Sequence, residues 1–394
     1  MVDPGFPVFD ADNHYYEAED AFIRYMDPRM KRRCMQWAWI DGRKRLLVGG
    51  RINRFIPNPS FDPVARPGVL DDYFRGRNPE AKDMRELFGD LEPISPAYRD
   101  RDARLALMDR QGLGGCFLFP TLGVGMEEAL KADPPAVVAA FRALNRWIEE
   151  EWGFSYRERI FAAPYFTLMD VERAVEELEW ALERDLRVLC LRAAPVAGVD
   201  RSRSLGDRRF DPFWARVNEA GITVAFHSGD AGYHAYAAAW GIDSEFKSFD
   251  YDPLRSCLSA SPVRDAMAAL VCHGVFERFP NLRVATIESG SSWVSGLLAA
   301  LRKTFGQMPR HFSRDPVEQF KAHVWVSPYY EDDLEGLKQT LGAEHVIFGS
   351  DYPHAEGLAE PTSFVHDLKG YDPDELRLVM RENALGLSRR RPAS

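Results

Sequence analysis

The sequence lacks several features that would place a chain in a familiar class of protein. No stretch approaches the ~18–20 apolar residues that a helix needs to span a bilayer. The first residues carry neither the basic segment nor the apolar segment of a secretory signal. The five cysteines are scattered without close spacing, so they predict neither a zinc knuckle nor a disulfide framework. We therefore expect a cytoplasmic protein without membrane partners.

Positive charge is also scarce. Lys and Arg number 50 against 60 Asp and Glu, and the net charge of −10 argues against a surface for nucleic acid. Apolar residues make up 45% of the chain and charged residues 28%, which is ordinary for a globular protein. A chain of 394 residues buries one large core or two modest ones. The composition favours a globular protein that acts on a small-molecule substrate.

Strands and helices alternate along most of the chain. Such alternation predicts a parallel sheet, and eight strand units predict an α/β fold of the TIM (β/α)8 barrel type. An open doubly wound sheet is the competitor, but it would need a glycine-rich phosphate turn after the first strand, which is missing. The last helix, Pro373–Leu387, is expected to cover the end of the barrel. The predicted strands are Val8–His14, Gly114–Pro120, Ile160–Phe166, Leu186–Leu191, Ile222–Phe226, Leu282–Ile287, Val324–Val326 and Val346–Phe348.

Residues 24–98 interrupt this alternation. Within them Asp41-Gly42 separates two strand-like segments, and Asp-Gly between strands is a strong hairpin signal. Proline-rich irregular sequence follows as far as Pro96. The aromatic residues of this segment suit either a lid over a pocket or a subunit interface such as that of a homodimer. We expect one domain over residues 1–394, with 24–98 as a lid or hairpin subdomain inserted after the first strand.

Polar side chains follow several predicted strands at the point where each strand ends. In a TIM barrel the catalytic groups collect at these carboxyl ends. Alternate residues of a strand point the same way, so Asp12 and His14 can face one centre. Two imidazoles and two carboxylates suit one divalent ion, Zn²⁺ above all, with Mn²⁺, Fe²⁺ or Ni²⁺ as alternatives. The side chains at the strand ends are Asp12, His14, Arg192, His227, Glu288 and Asp351.

Each of these residues has a structural alternative when taken alone. His227 directly follows an apolar strand, where a hydrogen-bonded core histidine is about as common as a ligand. Asp351 precedes a Tyr-Pro turn, where a carboxylate can simply cap a loop. Their joint occurrence with Asp12 and His14, at the ends of the first, fifth and eighth strands, favours a metal site over these alternatives.

Four segments of the chain carry a resemblance to a known family. They are Asp10-Ala11-Asp12-Asn13-His14, His273-Gly274-Val275-Phe276-Glu277-Arg278-Phe279-Pro280, Glu288-Ser289-Gly290 and Phe348-Gly349-Ser350-Asp351-Tyr352-Pro353-His354. They resemble the amidohydrolase-2 branch of the amidohydrolase superfamily, which includes aminocarboxymuconate-semialdehyde decarboxylase and the resorcylate-type decarboxylases. The resemblance covers nearly the whole chain outside the insert. It implies a distorted TIM barrel holding one divalent metal, with ligand positions occupied by Asp12, His14, His227 and Asp351.

The sequence departs from this family pattern at two positions. The first ligand position is often histidine and sometimes glutamate in the family, and it is Asp12 here, which adds negative charge. The position of a catalytic histidine in the decarboxylases is occupied by Glu288. The family register puts His273 in the preceding helix, where we expect a structural role. Strand four offers Arg192 and no lysine, so a carbamylated lysine bridging two metals is not expected.

The favoured function is that of a metal-dependent hydrolase acting on a small-molecule carbonyl compound, namely an ester, lactone, amide or C–C bond. Asp351 would take a proton from metal-activated water, and Glu288 would act as acid or base on the leaving group. Charge favours this chemistry. If Asp12, Asp351 and Glu288 are all ionised, they outweigh a 2+ ion by one and attract a carboxylate substrate weakly.

Two other functions stay open. One is non-oxidative decarboxylation of an aromatic or unsaturated carboxylic acid, in which Asp351 would protonate carbon. The other is a non-catalytic metal-binding barrel. Arg192 would either bind a substrate carboxylate through its fork of donors or brace the barrel. Glu17 and His354 lie just beyond ligand segments, where they would contact substrate or hydrogen-bond to metal ligands.

Overall fold

The protein has an α/β fold in which most strands are parallel. The computed structural model describes residues 4–393 apart from 244, 246, 250, 251, 259 and 260. The strands of the described residues are β1 (Val8–Tyr15), β2 (Met35–Ile40), β3 (Arg43–Val48), β4 (Arg51–Ile52), β5 (Leu113–Pro120), β6 (Ile160–Ala162), β7 (Tyr165–Phe166), β8 (Val188–Arg192), β9 (Thr223–His227), β10 (Arg283–Ile287) and β11 (Val324–Val326).

The strands form three sheets, two of them parallel. One parallel sheet has the order β1-β5-β6, and the other has the order β11-β10-β9-β8-β7. Strands β1, β8, β9 and β10 are buried along their whole length, as expected where helices cover a parallel sheet. The parallel α/β architecture predicted from the alternation is therefore confirmed.

Helices connect these strands, and their ends follow sequence signals. Asp100 caps α3 by accepting a hydrogen bond from Ala103 N, and Gly112 ends the helix in the left-handed conformation. No helix of the described residues is long and apolar enough to cross a bilayer. The α-helices are α1 (Asp71–Phe74), α2 (Met84–Phe88), α3 (Arg101–Gln111), α4 (Met126–Leu130), α5 (Pro134–Glu151), α6 (Val171–Leu182), α7 (Asp211–Ala220), α8 (His234–Ala238), α9 (Pro253–Cys257), α10 (Pro262–Cys272), α11 (Val275–Arg278), α12 (Trp293–Gln307), α13 (Pro316–His323), α14 (Leu334–Leu341), α15 (Pro373–Arg377) and α16 (Asn383–Leu387).

The predicted hairpin in the insert is present. Strands β2 and β3 pair antiparallel in a register that sets Ile40 opposite Arg43. The two residues between them, Asp41 and Gly42, have φ values of 51° and 70°. A two-residue turn with φ positive at both positions matches the right-handed twist of paired strands, which explains the Asp-Gly choice. Strand β4 extends the hairpin to a three-stranded antiparallel sheet.

The first strand and the segment 346–354 lie side by side. Ala11 N donates to Phe348 O at 2.8 Å, and Asp351 N donates to Asp12 O at 2.9 Å. The start of the same segment makes a parallel bridge to β11. These pairings make neighbours of residues from the two ends of the chain.

One predicted strand, Ile160–Phe166, is divided in two. Its first half, β6, pairs with β5, whereas its second half, β7, pairs with β8. Pro164 lies at the break, and a proline cannot donate a hydrogen bond to a sheet. Its carbonyl still accepts from Cys190 N at 2.9 Å. The break therefore marks the point where the chain passes from one parallel sheet to the other.

Two predicted helices are also interrupted. The segment 262–279 forms α10 and α11, which are separated at Gly274 with φ 65°. The last predicted helix, Pro373–Leu387, contains a π-helical turn over Leu378–Glu382 between α15 and α16. Within that turn Val379 O accepts from Phe348 N at 3.1 Å. The interruption thus fastens the last helical segment to the strand-like segment that precedes Asp351.

Candidate metal centre

Five side chains from four strand ends converge on one point. His14 Nε2 lies 3.1 Å from His227 Nε2 and 3.2 Å from Asp12 Oδ1. The Asp12 oxygen lies 3.4 Å from His227 Nε2. Glu288 Oε2 is 3.3 Å from His227 Nε2, and Asp351 Oδ1 is 3.4 Å from His14 Nε2. These residues come from β1, from β9, from the residue after β10 and from the segment 346–354.

The donor atoms fit one divalent ion. Ligands at about 2.1 Å in tetrahedral geometry stand about 3.4 Å from one another, which matches the separations in this group. His227 Nδ1 contacts Ser228 O at 2.7 Å, so this nitrogen carries the proton and Nε2 directs its lone pair at the group. The group Asp12, His14, His227 and Glu288 can hold a divalent metal.

A second, overlapping group comprises His14, Glu288, Asp351 and His354. Glu288, which we assigned to acid–base chemistry, therefore lies among the donor atoms themselves. Asp351 Oδ1 lies 3.4 Å from the same His14 nitrogen that stands 3.1 Å from His227 Nε2. Both carboxylates stand close enough to complete a coordination shell started by the two histidines.

The backbone at Glu288 and Asp351 is strained. Both residues have left-handed φ values, 47° and 56°. Such conformations are uncommon for residues with a side chain, cost on the order of 1–3 kcal/mol and cluster at functional sites. The carbonyl of Glu288 accepts from Tyr329 Oη at 2.9 Å, and Asp351 is held by the backbone bond to Asp12. These contacts aim both carboxylates into the group.

A buried carboxylate below the group ties the two ends of the chain together. Asp10 accepts from Ser350 N at 2.9 Å and from Ser350 Oγ at 2.5 Å. It also accepts from Asn13 Nδ2 at 2.8 Å. Burial raises the pKa of Asp10 to about 7 although these bonds act to lower it. We call Asp10 and Ser350 the strand clasp, because their hydrogen bonds fix Asp12 relative to Asp351.

His354 backs Asp351 in a short chain of hydrogen bonds. Its ring stacks on that of His14 with centroids 4.0 Å apart. Its Nδ1 lies 2.6 Å from Asp351 Oδ1, and its Nε2 lies 3.0 Å from Thr121 Oγ1. Since the Thr121 hydroxyl donates to Tyr15 O, its oxygen accepts from His354 Nε2–H. The second ring nitrogen of His354 therefore faces the Asp351 carboxyl.

Burial raises the pKa of two carboxyl groups of the centre and lowers the pKa of two of its histidines. It raises the pKa of Asp351 and of Glu288 well above the usual range, and neighbouring carboxylates add to the rise. It lowers the pKa of His354 and, more strongly, that of His14. Both shifts in the Asp351–His354 pair favour uncharged forms, so the pair holds one proton in its hydrogen bond.

Asp12 behaves differently from the other two carboxylates. Burial acts to raise its pKa, but hydrogen bonds with His14 and His227 outweigh burial and hold the pKa below its ordinary range. The same contacts raise the pKa of His227 against the effect of its own burial. Asp12 is therefore the carboxylate of the group that stays ionised most readily.

Of the two roles that the sequence left open for Arg192, its contacts match the bracing role. Its Nη1 lies 2.7 Å from Glu128 Oε2, and its Nε lies 3.5 Å from Glu127 Oε1. Its Nη2 donates to Pro195 O at 3.1 Å. All three charged side chains are nearly inaccessible to solvent. The guanidinium lies beside a cavity at the metal group, but two buried acids already balance its charge.

Three further residues, Glu17, His273 and Thr121, have roles that the structure defines. Glu17 accepts from the backbone N–H groups of Leu122 and Gly123, so it anchors the loop after β5. His273 lies after α10 with Nδ1 2.7 Å from Ser204 Oγ, away from the metal group, as expected. Nothing in the sequence spacing links Thr121 to His354, and only the tertiary contact identifies it.

The chain matches a known protein family over most of its length. A family model described as Amidohydrolase matches residues 91–387. The chain belongs to the amidohydrolase family. The resemblance inferred from the motifs is confirmed by this match.

A solved amidohydrolase from Mycobacterium avium subsp. paratuberculosis K-10 is 45% identical, with 98% of this chain and 99% of that chain covered and a TM-score of 0.92. A dihydroxybenzoic acid decarboxylase from Polaromonas sp. JS666, solved with bound manganese and the inhibitor 2-nitroresorcinol, is 18% identical. That alignment covers 81% of this chain and 92% of the other with a TM-score of 0.57, a likeness of fold alone.

A curated relative is the 2-amino-3-carboxymuconate-6-semialdehyde decarboxylase of Dictyostelium discoideum. It is 22% identical over 231 residues, which are 55% of this chain and 55% of the relative. The amidohydrolase thus spans about half the length of the curated relative it matches. The Dictyostelium and Polaromonas proteins are both named decarboxylases, whereas the Mycobacterium protein is named an amidohydrolase.

Proposed function

We propose that this amidohydrolase catalyses the non-oxidative decarboxylation of a small-molecule carboxylic acid. The observation that carries the proposal is the hydrogen-bonded pair of Asp351 and His354, which holds a proton beside the metal-binding group. Decarboxylation of this kind needs a proton donor at the carbon that loses CO₂. The relatives from Dictyostelium and Polaromonas, both named decarboxylases, support this chemistry over hydrolysis.

The residues of the chain would carry out the proton transfer. The Asp351 carboxyl donates its proton to the carbon that bears the substrate carboxylate. The C–C bond then breaks, CO₂ leaves, and the bonding electron pair restores the unsaturation of the product. His354, oriented by Thr121, then takes up a proton from solvent at Nδ1 and passes it to the Asp351 carboxylate, which restores the starting pair.

We propose one divalent ion as the cofactor, Zn²⁺ in the first place and Mn²⁺ as the alternative, since the Polaromonas enzyme holds manganese. Asp12, His14 and His227 would hold it, with Glu288 or Asp351 as a further ligand. When bound, the ion would supply positive charge that binds and orients the oxygens of the substrate.

We also propose that the two parallel sheets form one distorted (β/α)8 barrel. The pairing of β1 with the segment 346–354, and of that segment with β11, supports closure on one side. The passage of the chain from β6 to β7 supports it on the other. In this arrangement the insert 24–98 is a lid at the carboxyl ends of the strands.

The experiment is an assay of aromatic and unsaturated carboxylic acids with the metal-loaded enzyme in D₂O. We expect CO₂ in a one-to-one ratio with product, and deuterium at the carbon that lost it. Asp351→Asn should lower the rate by about 10²–10⁴-fold, the usual contribution of a positioned acid. Asp72→Asn, at a carboxylate with 74% of its side chain exposed, is the matched control and should leave the rate unchanged. Equal rates in Asp351→Asn and wild type would contradict the proposal.

Hydrolysis remains a second candidate because of Glu288 and Arg192. Glu288 Oε2 stands 3.3 Å from His227 Nε2, and burial raises the pKa of its carboxyl group, so this group is placed to act as acid or base on a leaving group. Arg192 is already paired with Glu127 and Glu128. Esters, lactones and amides in H₂¹⁸O test this candidate. Incorporation of ¹⁸O into product, with no CO₂ from any acid, would replace the lyase proposal with a hydrolase.

A further inference from the structure

A cavity of about 490 Å³ opens from the metal group toward the insert. Its floor includes His14, His227, Glu288 and His354, so any molecule in it contacts the metal group directly. We call it the insert cavity. Its apolar wall consists mainly of Phe55, Ile56, Phe61, Val64, Phe88 and Phe249.

The charged groups of this wall offer no free cation to a second anionic group. Among the described residues that line the insert cavity, Lys247 is the cation other than histidine. Its Nζ lies 2.6 Å from Asp243 Oδ2 and 3.3 Å from Glu245 Oε2, so two acids balance it. Glu356 adds a further carboxyl group. A carboxylate of the substrate is therefore favoured at the metal and disfavoured in the insert cavity.

The volume of the insert cavity limits the size of the apolar group that a ligand can place in it. An apolar cavity of about 150 Å³ is enough to bind benzene. The 490 Å³ available here is about three times that volume, and it lies within the range of typical small-molecule sites. A single aromatic ring would leave most of the wall uncovered.

A second cavity, of about 770 Å³, meets the first at His227, Ser228, Gly229 and Glu288. Its wall carries two arginines, Arg192 and Arg264, together with the hydroxyl-bearing residues Ser228, Ser261, Ser289, Ser292 and Tyr329. This cavity suits hydrated groups. The apolar part of a ligand is therefore assigned to the insert cavity and not to this one.

Two separate segments close over the insert cavity. Ser248 N donates to Phe55 O at 2.8 Å, which joins the loop after β9 to the insert. The rings of Phe88 and Phe249 meet edge to face with centroids 4.8 Å apart. On the inner side Phe61 stacks on Tyr16 at 4.5 Å. We call residues 55–65, 88–91 and 247–249 the roof.

We propose that the substrate carries an apolar body of two or more rings, or an alkyl chain of similar size, which lies under the roof while its reacting group lies at the metal. The inference rests on the proposed function only in placing the reacting group there. A substrate of this kind is larger than a singly substituted benzene ring and bears no second charge on its apolar body.

A series of hydroxamic acids tests the proposal by binding, without turnover. The hydroxamate head binds divalent metals, and the tail varies from methyl to phenyl, 2-naphthyl and 4-biphenyl. Isothermal titration calorimetry with the Zn²⁺-loaded enzyme gives the Kd of each. Because each added ring buries further apolar surface, we expect Kd to fall by about tenfold or more from phenyl to naphthyl. A Kd that is constant or rises from phenyl to biphenyl would overturn the proposal.

Variants locate the tail. Phe88→Asp puts a charge into the wall. This variant should bind the phenyl and naphthyl hydroxamates with the same affinity, whereas its Kd for acetohydroxamate should be unchanged. Leu87→Asp, at a half-buried neighbour on α2 outside the wall, is the matched control and should keep the gain. If Phe88→Asp does not fold, Leu91→Asp at a wall residue 49% exposed replaces it. Retention of the full gain in a folded wall variant would contradict the assignment.

The binding series and the decarboxylation assay fail independently. Tail-dependent affinity without CO₂ release from any acid would leave the substrate class standing and remove the lyase. CO₂ release from single-ring acids, together with a hydroxamate Kd that does not change with the tail, would support the lyase and remove the proposed substrate class.

Discussion

The metal centre and the roof are held by different kinds of contact. At the centre, Asp10 and Ser350 lie 340 positions apart and share two buried hydrogen bonds. At and beside the roof, the described residues join the insert to the loop after β9 by one backbone hydrogen bond, one ring contact and the exposed pair Arg54–Glu245 at 3.2 Å. Buried polar networks specify one geometry, whereas exposed loop contacts open at low free energy. The difference indicates that the metal centre is the more rigid of the two regions and that the roof is the more adjustable.

The largest expected effect is at the metal ligands. Zn²⁺ present at 1,000 times its Kd should stabilise the protein by about 4 kcal/mol, since the ion binds the folded state. His14→Ala should abolish this stabilisation and the activity, whereas His273→Ala should keep both, because His273 lies outside the metal group. Thermal melts with Zn²⁺ and with a chelator measure the difference. An equal Zn²⁺-dependent shift in His14→Ala would show that the ion binds elsewhere.

The next effect concerns Glu17, which anchors the loop after β5 to the end of β1. Burial raises its pKa from 4.5 to about 7. The folded state therefore holds this proton more tightly than the unfolded state, and stability is lost as pH rises from about 4.5 to about 7, by on the order of 3 kcal/mol. Glu17→Gln should remove this decline in urea unfolding experiments. Glu19→Gln, at a carboxylate with 43% of its side chain exposed, should retain it.

A smaller effect is expected at the strand clasp. Ser350→Ala removes the hydroxyl donor and leaves an oxygen of buried Asp10 with one partner fewer. The expected cost in the free energy of unfolding is about 1–3 kcal/mol. Ser363→Ala, at a half-buried serine outside the clasp, should cost less than about 0.5 kcal/mol. If the two variants unfold at the same urea concentration, the clasp does not carry the stability assigned to it.

The smallest effect is expected at Arg54, directly beside the roof. Arg54→Ala breaks an exposed ion pair whose arginine side chain is 61% accessible. Such pairs contribute about 0–1 kcal/mol, so the melting temperature should hardly change. The naphthyl hydroxamate should nevertheless dissociate faster, because the roof opens more often. A loss of stability as large as that of Ser350→Ala would remove the contrast between centre and roof.

Much of the strand order could be predicted because buried parallel strands are short apolar runs. Val324–Val326 was predicted with its observed bounds, and most other strands within a few residues. The exceptions have local causes that act only in three dimensions. Pro164 divides one strand because its two halves pair with different sheets. Val346–Phe348 makes one isolated bridge, from Val346 to Val326, instead of a full ladder.

The candidate ligands could also be predicted, since a polar residue after an apolar strand is visible in the sequence. Of the predicted ligands, Asp12, His14 and His227 lie in one group of donor atoms, and Asp351 lies in the overlapping group, 3.4 Å from His14 Nε2. Arg192 satisfied the same rule, but its role depends on Glu127 and Glu128. Both acids lie on α4, and Glu128 precedes Arg192 by 64 positions. No local pattern reports which loop will meet a given strand end.

The sequence by itself determined the parallel α/β class, the insert with its Asp-Gly hairpin, and the polar residues at the strand ends. Each of these depends on neighbours along the chain, through side-chain periodicity and turn conformation. Only the tertiary structure decided that Glu288 joins the donor atoms, that Arg192 is neutralised, and that the insert meets the loop after β9 over an apolar cavity. Those features depend on contacts between distant segments, where burial and charge are set by which side chains the fold brings together.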